Sequence, residues 1–564
     1  MANLDWIVLS VTLLFIVIYG AIKTKGSANV KDYILGNNET PWFTVGISVM
    51  ATQASAITFL STPGQAYHDG MGFVQFYFGL PLAMVVIAYT FIPIYHKLKV
   101  YTAYEYLEQR FDVNTRTLAA ILFLIQRGLG TGITIYAPAI ILSALLGWNL
   151  FMLNIIIGLL VIVYTVTGGT KAVNVTQKQQ MFVIFSGMVI TFVIILNQLP
   201  EQLDFFNTLK IAGANGKMDI LDFSYNPETR YTFWSGITGG FFLMLSYFGT
   251  DQSQVGRYLS GKSIKESQMG LIMNGILKVP MQFFILLTGV LVFVFYQFNS
   301  APLHFNPTNV TNIENTKYKA EYNKLEDKLA IVNEEKKVIN QIYIEQLNYE
   351  YDNNALKKKM QNLSSQEKEL REQAKTLIAK SDSKAETNDK DYVFLYFILH
   401  HLPKGILGLL LAVIFSAAMS SSASGLNSLA ATSTIDIYRR NRGNQSDKHY
   451  VYATQYFTLF WGLVAIGFAC ISSLFENLIQ LVNIIGSIFY GTVLGIFLVG
   501  FYIHYVKGKA IFIAACISQS TIFFIFYIDV VGFLWLNFIG AILTIVLSLS
   551  IQSYLNSKGE KIIV

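Results

Sequence analysis

Charge is what this chain has least of. Only 13% of its 564 residues are Asp, Glu, Lys or Arg, where a soluble protein of this length carries roughly a quarter. A soluble globular protein is therefore excluded. Cysteine is nearly absent, and Cys470 and Cys516 both sit inside apolar runs, which leaves no disulfide framework and no metal site. The seven His, among them His68, His96, His400 and His401, fall at the ends of apolar runs without a paired nucleophile or base. That argues against a membrane enzyme. No G-x-x-x-x-G-K-[ST] run is present, which removes the nucleotide site a primary pump needs. What the chain does have is apolar and small: 53% hydrophobic residues, 14% aromatic and 41 Gly, with a mean hydropathy of +0.45. This composition describes an all-α polytopic membrane protein with aromatic belts at the interfaces.

Apolar runs long enough to cross a bilayer lie near 5–22, 43–66, 72–98, 117–146, 149–167, 178–198, 231–255, 268–298, 393–437, 449–472, 477–504, 509–528 and 531–553. They predict about thirteen transmembrane helices. With the N-terminus outside, the inside loops collect Lys23 and Lys25; Lys97, Lys99, Arg110 and Arg116; Lys171 and Lys178; Arg257, Lys262 and Lys265. They continue with Arg439, Arg440, Arg442 and Lys448; Lys507 and Lys509; Lys558 and Lys561. The positive-inside rule then predicts an outside N-terminus and a cytoplasmic C-terminus in a cell membrane, the inner one in a bacterium. The net charge of +6 gathers in these loops and calls for no nucleic-acid partner. The first run follows Asp5, with no basic residue before it and no small-residue cleavage site after it. It is expected to be a retained helix rather than a signal peptide.

The segment 301–391 differs in kind, being rich in Lys, Glu, Asn and Gln between the eighth and ninth runs. Leu325, Leu329, Val332, Ile339 and Tyr343 recur at helical spacing, as do Leu356, Met360, Leu363, Leu370 and Leu377. The expectation is an antiparallel helical hairpin that stands off the outer face, turning at Asn348–Asn354. It is either a docking arm for a partner protein or a solvated insertion with no part in transport.

Two stretches point to chemistry. The second run reads Ser48-Val49-Met50-Ala51-Thr52-Gln53-Ala54-Ser55-Ala56 in its middle and ends at Pro63-Gly64. Helices with polar or small interruptions at mid-depth mark transporter binding sites, because unwound carbonyls there can hold ions. The ninth run carries Ser416-Ala417-Ala418-Met419-Ser420-Ser421-Ser422-Ala423-Ser424, with Ala417, Ser420 and Ser421 on one helical face. Hydroxyl and carbonyl oxygens suit a small hard cation; the structural alternative is small-residue packing with Ser bonded to the preceding turn. Five spans after the second, the seventh holds Ser246-Tyr247-Phe248-Gly249-Thr250-Asp251-Gln252. That is the corresponding position if spans two to six and seven to eleven are inverted repeats.

With these stretches, Thr102-Ala103-Tyr104-Glu105-Tyr106-Leu107-Glu108-Gln109-Arg110-Phe111, Tyr136-Ala137-Pro138-Ala139, Gly168-Gly169-Thr170-Lys171-Ala172-Val173 and Ser433-Thr434-Ile435-Asp436-Ile437-Tyr438, the chain resembles the sodium:solute symporter family. The resemblance implies a five-plus-five inverted-repeat (LeuT-type) core and a sodium ion as the coupling ion. It divides the chain into an extra helix and loop (1–42), a first repeat (43–200), a second repeat (201–300 and 392–505) interrupted by the insertion (301–391), and two C-terminal helices with a tail (506–564). Carried over by position, the sodium ligands are the carbonyls of Ala51, Ala54 and Ala417 and the hydroxyls of Ser420 and Ser421. A second sodium in some members uses an Asp and two more hydroxyls. Here Gln177 stands at the Asp position and Ala423 at one hydroxyl position, although Ser424 remains, so one sodium per cycle is expected.

The family's cavity is lined by the second, third, fourth, seventh, eighth and eleventh spans. Arg127 resembles the arginine that holds the carboxylate in the family's bacterial sialic acid transporters, and an Arg inside a span is costly and by default functional. Ser55 and Thr58 resemble that group's carboxylate-side hydroxyls, while Gln53 and Gln75 could supply amide contacts. Tyr247 matches the aromatic lid of the family's sugar transporters and Lys278 a sugar-contacting lysine. Two cations near one cavity favour an organic anion, sialic acid or another acid, over a neutral sugar. The alternatives are symport of a sugar or other neutral solute, and a transporter-like sensor. The chain ends at Val564 with no signalling domain, so a sensor would need a partner on 301–391.

Overall fold

The computed structural model describes residues 2–23, 29–347, 354–383, 385–443, 445–471 and 478–557. Among them the chain is helical throughout, with one isolated bridge between Thr40 and Gly261 in place of any sheet. The principal helices are α1 (Asn3–Lys23), α2 (Trp42–Gln53), α3 (Ala56–Asp69), α4 (Val113–Leu146), α5 (Leu150–Asn197), α6 (Phe241–Thr250), α7 (Gln252–Leu259) and α8 (Ile264–Phe298). They continue with α9 (Lys319–Leu347), α10 (Asn354–Ser381), α11 (Lys390–His401), α12 (Ile406–Thr432), α13 (Asp447–Ala469), α14 (Leu478–Tyr502), α15 (Gly508–Ile528) and α16 (Trp535–Ser557). Nine helical stretches among the described residues are long and apolar enough to cross a membrane unaided.

Both expected interruptions are present. The second span breaks between α2 and α3, and the seventh breaks at Asp251 between α6 and α7. Helix α8 splints the first break. Gly270 lies against Trp42 and Val45 on α2, and Gly289 lies against Pro63 on α3, so closely that a Cβ at either would collide with backbone. Helix α12 runs antiparallel to α4, with Thr134 bonded to Ser422 at one level (2.7 Å) and Arg116 paired with Asp436 at the other.

The fifth and sixth expected spans form one helical run, α5, with the expected Gly168-Gly169 loop helical as well. Its first part follows α13, through Asn154 to Ala469 O and Gln455 to Val166 O. Its second part follows α12, through Gln177 to Ser420 and Gln198 to His401 O. Each part is antiparallel to its partner, and α12 and α13 are antiparallel to each other.

One expectation needs correction. The run 393–437 is not one span. Helix α11 ends at His401, and Gly405 turns the chain with φ +92° before α12 begins. Lys390–His401 is apolar because it packs on α3 and on Phe295 and Tyr296 of α8, not because it crosses lipid. The insertion is a helical hairpin, with Leu325, Leu329, Val332, Met360, Leu363 and Leu377 buried as their spacing predicts, and it is tied to the rest of the protein. Asn340 bonds Gln297 O at the end of α8, while Gln361 and Ser364 bond Ala214 and Asn215. Glu367 is buried between Lys336 (2.6 Å) and Arg371 (3.0 Å). Burial alone would raise its pKa, but the two cations hold it well below the usual carboxylate range. The expected turn itself, Asn348–Asn354, lies outside the described residues save for Asn354.

Candidate functional site

At the break in the second span the backbone gives up its helical pattern. Ala54 and Ser55 leave the helical region, with ψ of 74° and 171°. Ser55 N donates to Gln53 O and Thr58 N to Ser55 O, each at 3.0 Å. The donors that a continuous helix would send to the carbonyls of Ala51 and Ala54 are thereby diverted. Small side chains at these positions let α12 approach. Ala51, Ala54 and Ala417 share one packed cluster with Met50, Val413 and Met281. Ser421 donates back to Ala417 O (2.9 Å), which leaves its oxygen lone pairs outward. Ser420 and Ser421 are both buried. All five expected sodium ligands thus lie at one contact between the broken span and the hydroxyl-bearing one.

Gln177 stands beside that contact. Its amide nitrogen donates to Ser420 (2.9 Å), Ser424 (3.2 Å) and Thr52 (3.3 Å), and its oxygen accepts from Ser48 (2.5 Å). A neutral donor here occupies hydroxyl oxygens that a second cation would need, and it supplies no charge to offset one.

A cavity adjoins the contact, with about 90 Å³ of room for the centres of water-sized molecules. Gln53, Ser55 and Thr58 line it from the broken span, Arg127 from α4 and Tyr247 from α6. Ser421 lines it from α12, and the eighth span contributes no wall. Ile57, Leu243, Met244, Ile479 and Val482 make much of the remainder apolar. Sequence reasoning missed Gln126, Asn483 and Tyr490. Tyr490 accepts from Gln126 (3.1 Å) and donates to Asp251 (2.9 Å); its place in an apolar run gave no signal.

Two expected contacts fall elsewhere. Gln75 is committed to backbone: its nitrogen bonds Gly72 O and Tyr231 O, and its oxygen accepts from Asp222 N. Lys278 lies on α8 between Gly270 and Gly289, fully buried, with no hydrogen-bond partner for Nζ among the described residues. Neither is on the cavity wall.

Outside the cavity, Gln65 on α3 bonds Asp69 (2.5 Å), which pairs with Lys390 of α11 (2.7 Å). Arg230 bonds Gln480 at the start of α14 (2.9 Å). Nearby, Glu386 accepts from Tyr136 (3.3 Å) and Tyr392 (3.4 Å). Burial, with Asp391 next, pushes its pKa up to about 8.

Two spans broken at mid-depth, an oxygen-lined contact at the first break and a cavity beside it define a helical membrane protein of the LeuT-type class. Within that class the chain belongs to the sodium:solute symporter family, whose model matches residues 33–330 and 377–517. Left out of the match are residues 1–32, the distal part of the hairpin (331–376) and residues 518–564. The chain is 32% identical over 273 residues to the Homo sapiens sodium/iodide cotransporter, covering 48% of this chain and 42% of that one. It is 35% identical over 257 residues to the Homo sapiens sodium-coupled monocarboxylate transporter 1, covering 46% and 42%. These matches span about two fifths of the relatives' own length. The Oryctolagus cuniculus sodium-dependent multivitamin transporter is 26% identical over 508 residues, covering 88% and 66%. The fold is that of a Na+-coupled sialic acid symporter in its substrate-bound outward-open state, with a TM-score of 0.75, 23% identity and 98% of each chain covered.

Proposed function

We propose that this protein is a sodium-coupled symporter that carries a small organic carboxylate by alternating access. The observation that carries the proposal is Ser421, which lines the cavity with Arg127 and bonds the carbonyl of Ala417, a residue packed with Ala51 and Ala54 of the broken span. One sodium bridges the Ala51 and Ala54 carbonyls to Ala417, Ser420 and Ser421. That fixes the geometry of Thr52–Ser55, which is also cavity wall. Sodium and solute then favour the same state, and their binding is coupled by a shared free energy. The Arg127 fork takes the carboxylate, Ser55 and Thr58 assist, and the apolar wall takes the body of the solute. Tyr247 closes over the load, the bundle rocks, and loss of sodium to the cytoplasm releases the cargo. The charge asymmetry of the loops supports an outside N-terminus in the cell membrane.

A mostly apolar wall and similarity to a monocarboxylate transporter favour a monocarboxylate over sialic acid, whose many hydroxyls need more polar partners. A second reading, a neutral solute, draws on Asp251, which lies 3.8 Å from Arg127 and offsets its charge. Uptake into proteoliposomes decides between them. Labelled acetate, lactate, pyruvate, nicotinate, sialic acid and glucose are tested with and without a sodium gradient. Sodium-driven uptake of a small acid is expected; sodium-independent uptake of every solute would sink the proposal, and glucose alone would favour the second reading.

A further inference from the structure

Asp251 is the one residue between α6 and α7, extended with φ −75° and ψ 118°. Its carboxylate is fully buried and reaches three ways. One oxygen caps α7 by accepting from Ser253 N (2.8 Å). The other accepts from Tyr490 on α14 (2.9 Å) and lies 3.8 Å from Arg127 Nη1 on α4. That last separation is an ion pair but longer than a hydrogen bond. Arg127 Nε has no hydrogen-bond partner among the described residues. Arg127, Tyr247 and Tyr490 line the cavity while Asp251 does not, so the carboxylate sits behind the cation and the solute meets the cation from the front.

We infer that Asp251 is the resident counter-ion of Arg127 and the residue that makes anion binding depend on sodium. The inference rests on the proposal that the cargo is a carboxylate carried with one sodium. Unloaded, Arg127 and Asp251 leave no net buried charge. Sodium alone leaves one positive charge in the buried pair of sites, and a monovalent anion alone leaves one negative charge. Together they restore neutrality. An uncompensated buried charge is strongly unfavourable, so each ligand binds well only beside the other. Without the Asp251 charge the arithmetic changes: the empty site is positive, and the anion alone neutralises it. A dianion would leave negative charge even with sodium bound, so Asp251 also selects for monovalent acids.

The test is equilibrium binding of labelled lactate, pyruvate and nicotinate to full-length protein in nanodiscs, with sodium and with choline in its place. In the parent, sodium is expected to tighten binding by about 5- to 150-fold, the usual range for coupled sites. In Asp251→Asn, which keeps a cap oxygen for Ser253 and a partner for Tyr490, the ratio is expected to fall to within about twofold, chiefly because binding in choline improves. An unchanged ratio in Asp251→Asn overturns the inference and leaves the symport proposal standing. So does loss of binding at every sodium concentration, which would make Asp251 a structural support. Sodium-insensitive binding in the parent instead overturns the symport proposal on which the inference rests.

Discussion

The second and seventh spans are both broken near their middles, and the two breaks are finished differently. At Ala54–Ser55 the ends are small residues, the carbonyls of Ala51 and Ala54 lose their helical donors, and no charged side chain fills the gap. At Asp251 the break carries its own carboxylate, which caps the following helix and binds Tyr490 and Arg127. Under the proposed function the first break is completed by a cation that comes and goes, whereas the second is completed from within. On that proposal the two broken helices divide the work, one break for a mobile cation and one for a fixed charge that conditions the cavity.

The strongest way to break this comparison is to strip the mobile-ion side. Ser420→Ala with Ser421→Ala removes two oxygen ligands, each a contact to charge, and should weaken sodium by about 3–6 kcal/mol. Titration of sodium-dependent uptake checks it, and an unchanged half-saturation would place the ion elsewhere. On the fixed-charge side, Arg127→Gln should weaken carboxylate binding by about 2–5 kcal/mol, read as a raised KM for acids. Undiminished acid uptake would remove Arg127 from the site. Gln177→Asp sharpens the comparison by giving the first break a fixed charge of its own. A second sodium should then bind, raising the Hill coefficient for sodium from about 1 towards 2; a coefficient that stays at the parent's value counts against the role given to the amide. The smallest effect belongs to the carboxyl group of Glu386. Glu386 has its pKa raised to about 8, so its protonated form is the one the fold favours. Its contribution is complete below the ordinary carboxyl range and is lost as pH rises through about 8. Melting between pH 6 and 9 should show stability falling by at most roughly 2–3 kcal/mol. Glu386→Gln should flatten the fall, and an equally steep one in that variant would assign it to other groups.

Much of the fold was legible because lipid imposes simple rules. Apolar length marked the spans, and polar or small residues at mid-depth marked both breaks. The ninth span was misjudged because α11 is as apolar as a membrane helix while packing on α3 and α8. Pro403-Lys404-Gly405 was the available signal, since Pro and Gly punctuate helices. The proposed sodium ligands came from resemblance, and the freed carbonyls are the feature on which that proposal draws. Gln75 and Lys278 were unreadable for another reason. A buried amide or ammonium looks the same in sequence whether it faces a cavity, a backbone carbonyl or a neighbouring helix.

If, as proposed, one sodium travels with one monovalent acid, the amide at position 177 sets a ceiling on accumulation. One sodium travelling with one monovalent acid moves no net charge, so membrane voltage, about 2.3 kcal/mol per charge per 100 mV, performs no work on the cycle. The solute can then be concentrated no further than the sodium ratio across the membrane, about 1.4 kcal/mol for each tenfold. A carrier built this way suits a plentiful nutrient gathered quickly, not a trace one scavenged against a steep gradient.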